Sequence, residues 1–210
     1  MNIPNMLTMA RIAMVPVVVG MIYIPEAMVS KGMAQAVAMA IFVLAALTDW
    51  LDGYLARALK QTSKFGAFID PVADKIMVCA SLILLVHMGR LHSVVAMVII
   101  GREIAVSALR EWMATMGQRN VVAVAMIGKF KTTAQMVAIP FLLVDLKFAG
   151  WLGTVEIGTA LIWVAAVLTV WSMVDYMRAA MRAVNGGDSV GRKQAGGLAN
   201  VGGSTVKLRG

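Results

Sequence analysis

The chain has little charge and a single cysteine. Of its 210 residues, 14% are charged and 60% are hydrophobic. A soluble domain has about 25% charged and about 45–50% apolar residues. The mean hydropathy of +0.81 points the same way. So few polar groups cannot cover the apolar surface of a soluble bundle of this size, and the bilayer is the expected solvent. One cysteine, Cys79, excludes an intrachain disulfide and leaves the redox compartment open. Within IMVCASLILLV it reads as a small packing residue. The two histidines, His87 and His92, flank a Gly-Arg turn and read as interfacial or solvated groups, not metal ligands. The opening stretch MNIPNMLTMARIAMVPVVVG lacks an early basic cluster and a small-x-small cleavage site, so it is expected to be retained rather than removed as a signal peptide. No internal repeat is visible.

Acidic residues are scarcer than basic ones, 11 against 19, for a net charge of +8. No interleaved basic and aromatic stripe and no zinc-finger spacing accompanies that charge, so nucleic acid is not the expected partner. Basic loops on the cytoplasmic side of a membrane protein, facing anionic headgroups, account for it. The 18 methionines suit flexible apolar packing rather than a copper-binding cluster.

Six apolar stretches stand out: Ile12–Pro25, Met33–Leu47, Ile76–Met88, Val94–Ile100 with its continuation to Trp112, Val121–Val144, and Ile157–Met173. Several are shorter than the roughly 20 residues that a span needs. Each lengthens only by taking charged or small polar residues into the helix, as in a bundle with a polar interior. The expected fold is therefore an all-α integral membrane protein with six transmembrane helices. Trp112, Trp151 and Trp171 suit interfacial belts, and Pro140 in MVAIP is a candidate kink.

Basic residues set the orientation. The Arg57–Lys64 loop holds three, Arg110–Lys131 holds four, and the chain from Arg178 onward holds six; the opposite connections hold only Lys31, Arg90 and Lys147. This asymmetry predicts both termini on the cytoplasmic side. From Asn185 the composition changes to NGGDSVGRKQAGGLANVGGSTVKLRG, which reads as a flexible, Gly-rich basic tail over 185–210 behind a transmembrane domain over 1–184.

Against this background, four of the acidic residues gather in TDWLDGYLARALKQTSKFGAFIDPVADK. Asp49 and Asp52 are three residues apart, and Asp70 and Asp74 four apart, so each pair falls on one helix face. Two helices meeting at the intervening turn aim both pairs into one space near the cytoplasmic face. Gly53 and Gly66 leave room for a close approach. An Asp at the centre of a membrane helix costs about 2.5–3.5 kcal/mol, so four would approach roughly 10 kcal/mol, comparable to a domain's stability. Arg57 and Lys75 do not suffice to neutralise four carboxylates. Hard divalent cations do, and all-oxygen ligands suit Mg²⁺, Mn²⁺ or Ca²⁺. Mg²⁺ in particular completes its shell with water and substrate phosphates. The cluster therefore suggests a metal site that handles phosphate. The plainer alternative is a set of loop-exposed aspartates paired with basic neighbours.

Asp49, Asp52, Gly53, Ala56, Arg57, Gly66, Asp70 and Asp74 stand at the fixed spacing of the CDP-alcohol phosphatidyltransferase signature, and the chain resembles that family. The likeness runs from about Asn2 to Met181. NIPNMLTMARI, GREIAVSALREW and GKFKTTAQM resemble its bacterial phosphatidylglycerophosphate synthase branch. The resemblance implies transfer of a phosphatidyl group from CDP-diacylglycerol to glycerol 3-phosphate with release of CMP, in a homodimer. It implies two divalent cations, Mg²⁺ or Mn²⁺, on Asp49, Asp52, Asp70 and Asp74, with Asp74 as general base. An unperturbed Asp, with a pKa of about 3.9, is a weak base, so Asp74 needs a polarised hydroxyl or a late proton transfer. Gly53, Ala56, Arg57 and Gly66, with Asp52, match positions that shape the cytidine and diphosphate pocket. Asn5, Thr8 and Arg11 resemble residues that approach the nucleotide.

A glycerol phosphate acceptor needs cations of its own, and Arg102, Arg110, Lys129 and Lys131 are the candidates. Arg102 and Glu103 interrupt an apolar run, so an internal ion pair is the competing reading for that arginine. Two further functions stand beside the main one. Another family member would take phosphatidylglycerol, as a cardiolipin synthase does, or serine or inositol phosphate. A divalent-cation transporter would also place carboxylates in the membrane, but has no need for the Arg57–Gly66 elements.

Overall fold

A computed structural model of the chain describes the backbone of residues 3–58, 64–116, 126–149 and 152–201; side chains are described for 5–51, 66, 68–116, 132–147 and 153–182. The described elements are six helices and a short ribbon. They are α1 (Ile3–Tyr23), α2 (Lys31–Ala58), α3 (Lys64–His87), α4 (Ser93–Thr115), α5 (Met126–Leu143), β1 (Lys147–Ala149), β2 (Leu152–Gly153) and α6 (Thr154–Val201).

Among the described residues, three helices are long and apolar enough to cross a membrane, over Asn5–Tyr23, Lys31–Leu51 and Thr154–Arg182. Helices α3 and α4, at 24 and 23 residues, are long enough at about 1.5 Å per residue. What sets them apart is charge inside the helix: Asp70, Asp74 and Lys75 on α3, and Arg102, Glu103, Arg110 and Glu111 on α4. The described apolar part of α5 is shorter, Thr132–Leu143. Helices α2 and α3 run well beyond the apolar stretches and take all four aspartates into helical backbone.

The helix ends follow local chemistry. Ser30 precedes α2 and accepts the Met33 amide on its hydroxyl at 3.4 Å, as an N-cap does. His92 does the same for α4, its Nδ1 accepting from the Val94 amide at 3.3 Å. Just past the end of α3 stands Gly89, whose φ of 69° is left-handed. The Gly89 amide donates to the Val86 carbonyl and the Arg90 amide to the Leu85 carbonyl, both at 3.0 Å, which closes the helix in a Schellman turn. At the start of α6, Glu156 reaches back to accept the Gly153 amide at 2.9 Å, half of a capping box.

The second half of the chain has two further features. The connection after α5 carries a two-stranded antiparallel ribbon, with Lys147 opposite Gly153 and Ala149 opposite Leu152. Helix α6 continues through Asn185 to Val201, within the Gly-rich basic segment. A helix already several turns long offers each next residue a hydrogen-bond partner, so continuing it costs less than starting one, even against the glycines.

The pairs that pack are α1 with α2 and α3, α2 with α5, α3 with α4 and α5, and α6 with α4 and α5. Phe42, Leu82, Leu85, Ile99, Ile139 and Ile162 fill the main core. The α5–α6 contact is close at Gly158. A side chain there would come within 2.7 Å of Leu142 Cγ and 3.1 Å of the Ala138 carbonyl oxygen, so the small residue lets the backbones approach. Outward on α6, Trp163, Val167 and Trp171 are exposed, a face suited to lipid tails rather than water.

Candidate active site

The site lies where α1, α2, α3 and α5 meet. On α1, Thr8 and Arg11 are three residues apart and share a face. Both are buried, Arg11 at 2% exposure, and both reach aspartates. The Arg11 guanidinium pairs with Asp49 of α2 through Nη1 and Oδ1. The Thr8 hydroxyl donates to Asp70 Oδ1 of α3 at 2.5 Å. A charge-assisted bond of this kind is stronger than a neutral one. It also fixes which way each carboxylate faces.

A narrow cavity of about 10 Å³ is lined by Arg11, Asp49 and Asp74, with Phe42, Met77 and Met136 around them. Asp49 and Asp74 therefore come from different helices to one space. A second cavity of about 40 Å³ is also lined by Asp74, with Lys75, Glu103, Thr132 and Gln135 among others. Lys75 is tethered to α4, its ammonium donating to Ser107 Oγ. Ser107 in turn donates to the Glu103 carbonyl at 2.6 Å.

Among the described residues, no three His, Cys, Asp or Glu side chains lie close enough together to hold a metal ion. Asp52 sits on α2 one turn beyond Asp49, and its side chain lies outside the described residues. The same holds for Gly53, Ala56 and Arg57 in the last turns of α2, and for Lys129 and Lys131 on α5. Gly66 is buried at the start of α3, and Asn5 is half-buried on α1, one turn before Thr8. Trp151 is likewise outside the described residues.

Two of the four candidate phosphate-binding cations come together. Arg102 and Arg110 of α4 each sit 5.7 Å from the centre of the Tyr176 ring of α6, within cation–π range. Arg110 is exposed; Arg102 is buried. Arg102 donates from Nη1 to Glu103 Oε1 and from Nη2 to Ser172 Oγ, both at 3.0 Å. The internal ion pair weighed for Arg102 is thus formed, and its Nε has no hydrogen-bond partner among the described residues.

Gln135 and Tyr176 join the candidate residues only in the structure. Gln135 carries a usable signal. It follows Lys131 and Thr132 at helical spacing and opens an otherwise apolar run, so a polar residue there needs a reason. Tyr176 gives no such signal, because an aromatic on an apolar helix ordinarily reads as packing.

In this apolar helical bundle Asp49 and Asp74 meet beside the buried Arg11, and sequence comparison gives the class of protein. The profile described as CDP-alcohol phosphatidyltransferase matches residues 1–171, and the chain belongs to that family. Its relatives include proteins named CDP-diacylglycerol–glycerol-3-phosphate 3-phosphatidyltransferase. One from Sodalis glossinidius is 50% identical over 86% of this chain and 95% of its own length. One from Salmonella choleraesuis is 47% identical over 85% and 94%, and one from Haemophilus influenzae is 45% identical over 85% and 93%.

Proposed function

We propose that the protein is an enzyme of phospholipid synthesis that transfers a phosphatidyl group from CDP-diacylglycerol to sn-glycerol 3-phosphate. The products are phosphatidylglycerophosphate and CMP. The observation that carries this reading is the meeting of Asp49 and Asp74 at one cavity beside the buried Arg11, in a chain of this family with relatives so named.

In this reading an acceptor hydroxyl oxygen forms a bond to the phosphorus that bears the diacylglycerol. The bond from that phosphorus to the oxygen bridging to CMP breaks, and CMP leaves with the electron pair. Asp74 takes the hydroxyl proton. Arg11 and Thr8 hold Asp49 and Asp70 in position from α1. Asp52, Gly53, Ala56, Arg57 and Gly66, with Asn5, Thr8 and Arg11, form the side that receives CDP-diacylglycerol. Arg102, Arg110, Lys129 and Lys131 receive the acceptor's phosphate, which suits the guanidinium fork.

Asp49, Asp52, Asp70 and Asp74 are the residues that would hold two divalent cations, Mg²⁺ or Mn²⁺. The set is all carboxylate oxygen, and Asp49 and Asp74 already share a cavity, which fits hard ions. Such ions, when bound, neutralise charge on the diphosphate.

The six helices are proposed to span the bacterial cytoplasmic membrane, with both termini and the site at the cytoplasmic face and the segment from 185 onward as a basic tail. The protomer is proposed to pair as a homodimer. The test is CMP release from CDP-diacylglycerol and Mg²⁺ with each alcohol supplied separately. Release with glycerol 3-phosphate, abolished by EDTA and restored by Mg²⁺, is expected. Release with phosphatidylglycerol but not glycerol 3-phosphate would move the protein to a cardiolipin synthase activity, and no release with any alcohol would end the transferase reading.

A further inference from the structure

Gln135 of α5 is 4% exposed, and its Nε2 has no hydrogen-bond partner among the described residues. Buried donors are almost always paired, so an unpaired one at a reaction site asks which ligand meets it. Gln135 lines the 40 Å³ cavity beside Asp74, together with Lys75, Glu103, Thr132 and Met136. The space has room for about two water-sized groups.

The chemistry of the lining selects the ligand. Two carboxylates, Asp74 and Glu103, face the space, which opposes a phosphate there by like-charge repulsion. The ammonium of Lys75 is engaged with Ser107. A carbon chain bearing neighbouring hydroxyls fits instead. Each hydroxyl donates to a carboxylate and accepts from an amide N–H, while Val78 and Met136 face the carbons. Gln135 also lies one helical turn from Lys131, a proposed phosphate-binding residue, so the acceptor's phosphate and hydroxyl ends map onto successive turns of α5.

Resting on the glycerol 3-phosphate reading above, we infer that Gln135 is a specificity-determining residue. Its Nε2 donates to the secondary hydroxyl of the acceptor, next to the primary hydroxyl whose proton passes to Asp74. The amide therefore distinguishes a vicinal diol phosphate from a plain alkanol phosphate.

The test compares glycerol 3-phosphate with 3-hydroxypropyl phosphate, which lacks only the secondary hydroxyl. CMP release is measured on the full chain in detergent–lipid micelles at saturating CDP-diacylglycerol. Wild type is expected to favour glycerol 3-phosphate at least roughly tenfold in kcat/KM, as a site built to bond a hydroxyl does. Gln135→Met should bring the ratio to within about threefold of unity, by losing glycerol 3-phosphate activity while the KM for CDP-diacylglycerol holds. If both alcohols fall together and the ratio survives, Gln135 only supports the fold and the inference is overturned. Should Gln135→Met fail to fold, the isosteric Gln135→Glu replaces the donor with an acceptor. It should collapse the ratio in the same way, and a preserved ratio there overturns the inference equally. Wild type that uses both alcohols equally well removes the role of Gln135 and leaves the transferase intact. Wild type that uses neither removes the functional reading and the inference together.

Discussion

At one end of the bundle, where α3 turns into α4, Arg90 is mostly buried and surrounded by acceptors. It donates to the Leu142 and Leu143 carbonyls at 2.9 and 2.7 Å and to Gln35 Oε1 at 2.9 Å, with Asp145 at 3.8 Å. Burial lowers its pKa, and Asp145 works against that. About 21 Å away along α2, counting from Gln35 to Asp49 at 1.5 Å per residue, Arg11 is buried among carboxylates instead. Both arginines join helices distant in sequence. Arg90 also lines a cavity, of about 330 Å³ with Gln35 and Lys31, but its guanidinium is taken up by the C-terminal carbonyls of α5, where a cation complements the helix dipole, and by Gln35. Arg11 meets an aspartate beside a cavity, in a region that also keeps Gln135 Nε2 and Arg102 Nε without partners among the described residues. The lesson is that buried charge alone does not mark a site. Buried charge with polar capacity left over, next to a cavity, does.

The largest expected effect tests the Asp74 side of this contrast. Asp74→Asn should lower CMP release by roughly 10²–10⁴-fold, the usual loss for a general base, with thermal unfolding in detergent little changed. Near-normal turnover with divalent ions still bound would remove Asp74 from the base role. At the opposite end, Arg90→Met should lower stability by about 2–3 kcal/mol, because it leaves two carbonyls and Gln35 unpaired. It should leave turnover per folded molecule intact. A turnover loss without a stability loss would reverse the assignment of the two ends.

Arg110→Ala separates phosphate binding from packing. The KM for glycerol 3-phosphate should rise by about tenfold, the cost of one charge-assisted contact, while the KM for CDP-diacylglycerol stays. If Arg110→Ala and Lys131→Ala both leave the acceptor KM unchanged, the phosphate site lies elsewhere. The smallest effect belongs to Gly158→Ala, which packs on Leu142 at the Arg90 end. The added methyl meets Leu142 and the Ala138 carbonyl, and overpacking of this kind costs about 1 kcal/mol. Differential scanning in detergent should record a modest fall in Tm with kinetics unchanged.

Much of this was legible in the sequence, and the reasons are physical. The helices were visible because apolar runs in a bilayer solvent admit few other structures. Helical periodicity puts Asp49 with Asp52 and Asp70 with Asp74 on one helix face each, whereas the meeting of Asp49 with Asp74 across two helices is not a matter of spacing. The contacts made by α1 were less accessible. Asn5, Thr8 and Arg11 pointed toward a nucleotide by resemblance, yet nothing in NIPNMLTMARI says that Thr8 meets Asp70 or that Arg11 meets Asp49, contacts made across 62 and 38 residues. Arg102 shows the same limit. Its sequence neighbour Glu103 was an obvious partner, while Ser172 and Tyr176, from a helix some 70 residues away, were not.

By itself, then, the sequence determined an apolar helical chain, its segments, and four aspartates held at fixed helical spacing. These are local properties, set by side-chain chemistry and the geometry of one helix. Only the tertiary structure decided which donor holds which carboxylate, that Gln135 opens onto the cavity beside Asp74, and that Arg90 closes one end while Arg11 serves the other. Those facts depend on how separate helices pack, and packing is settled by the joint fit of many side chains that no single stretch of sequence contains.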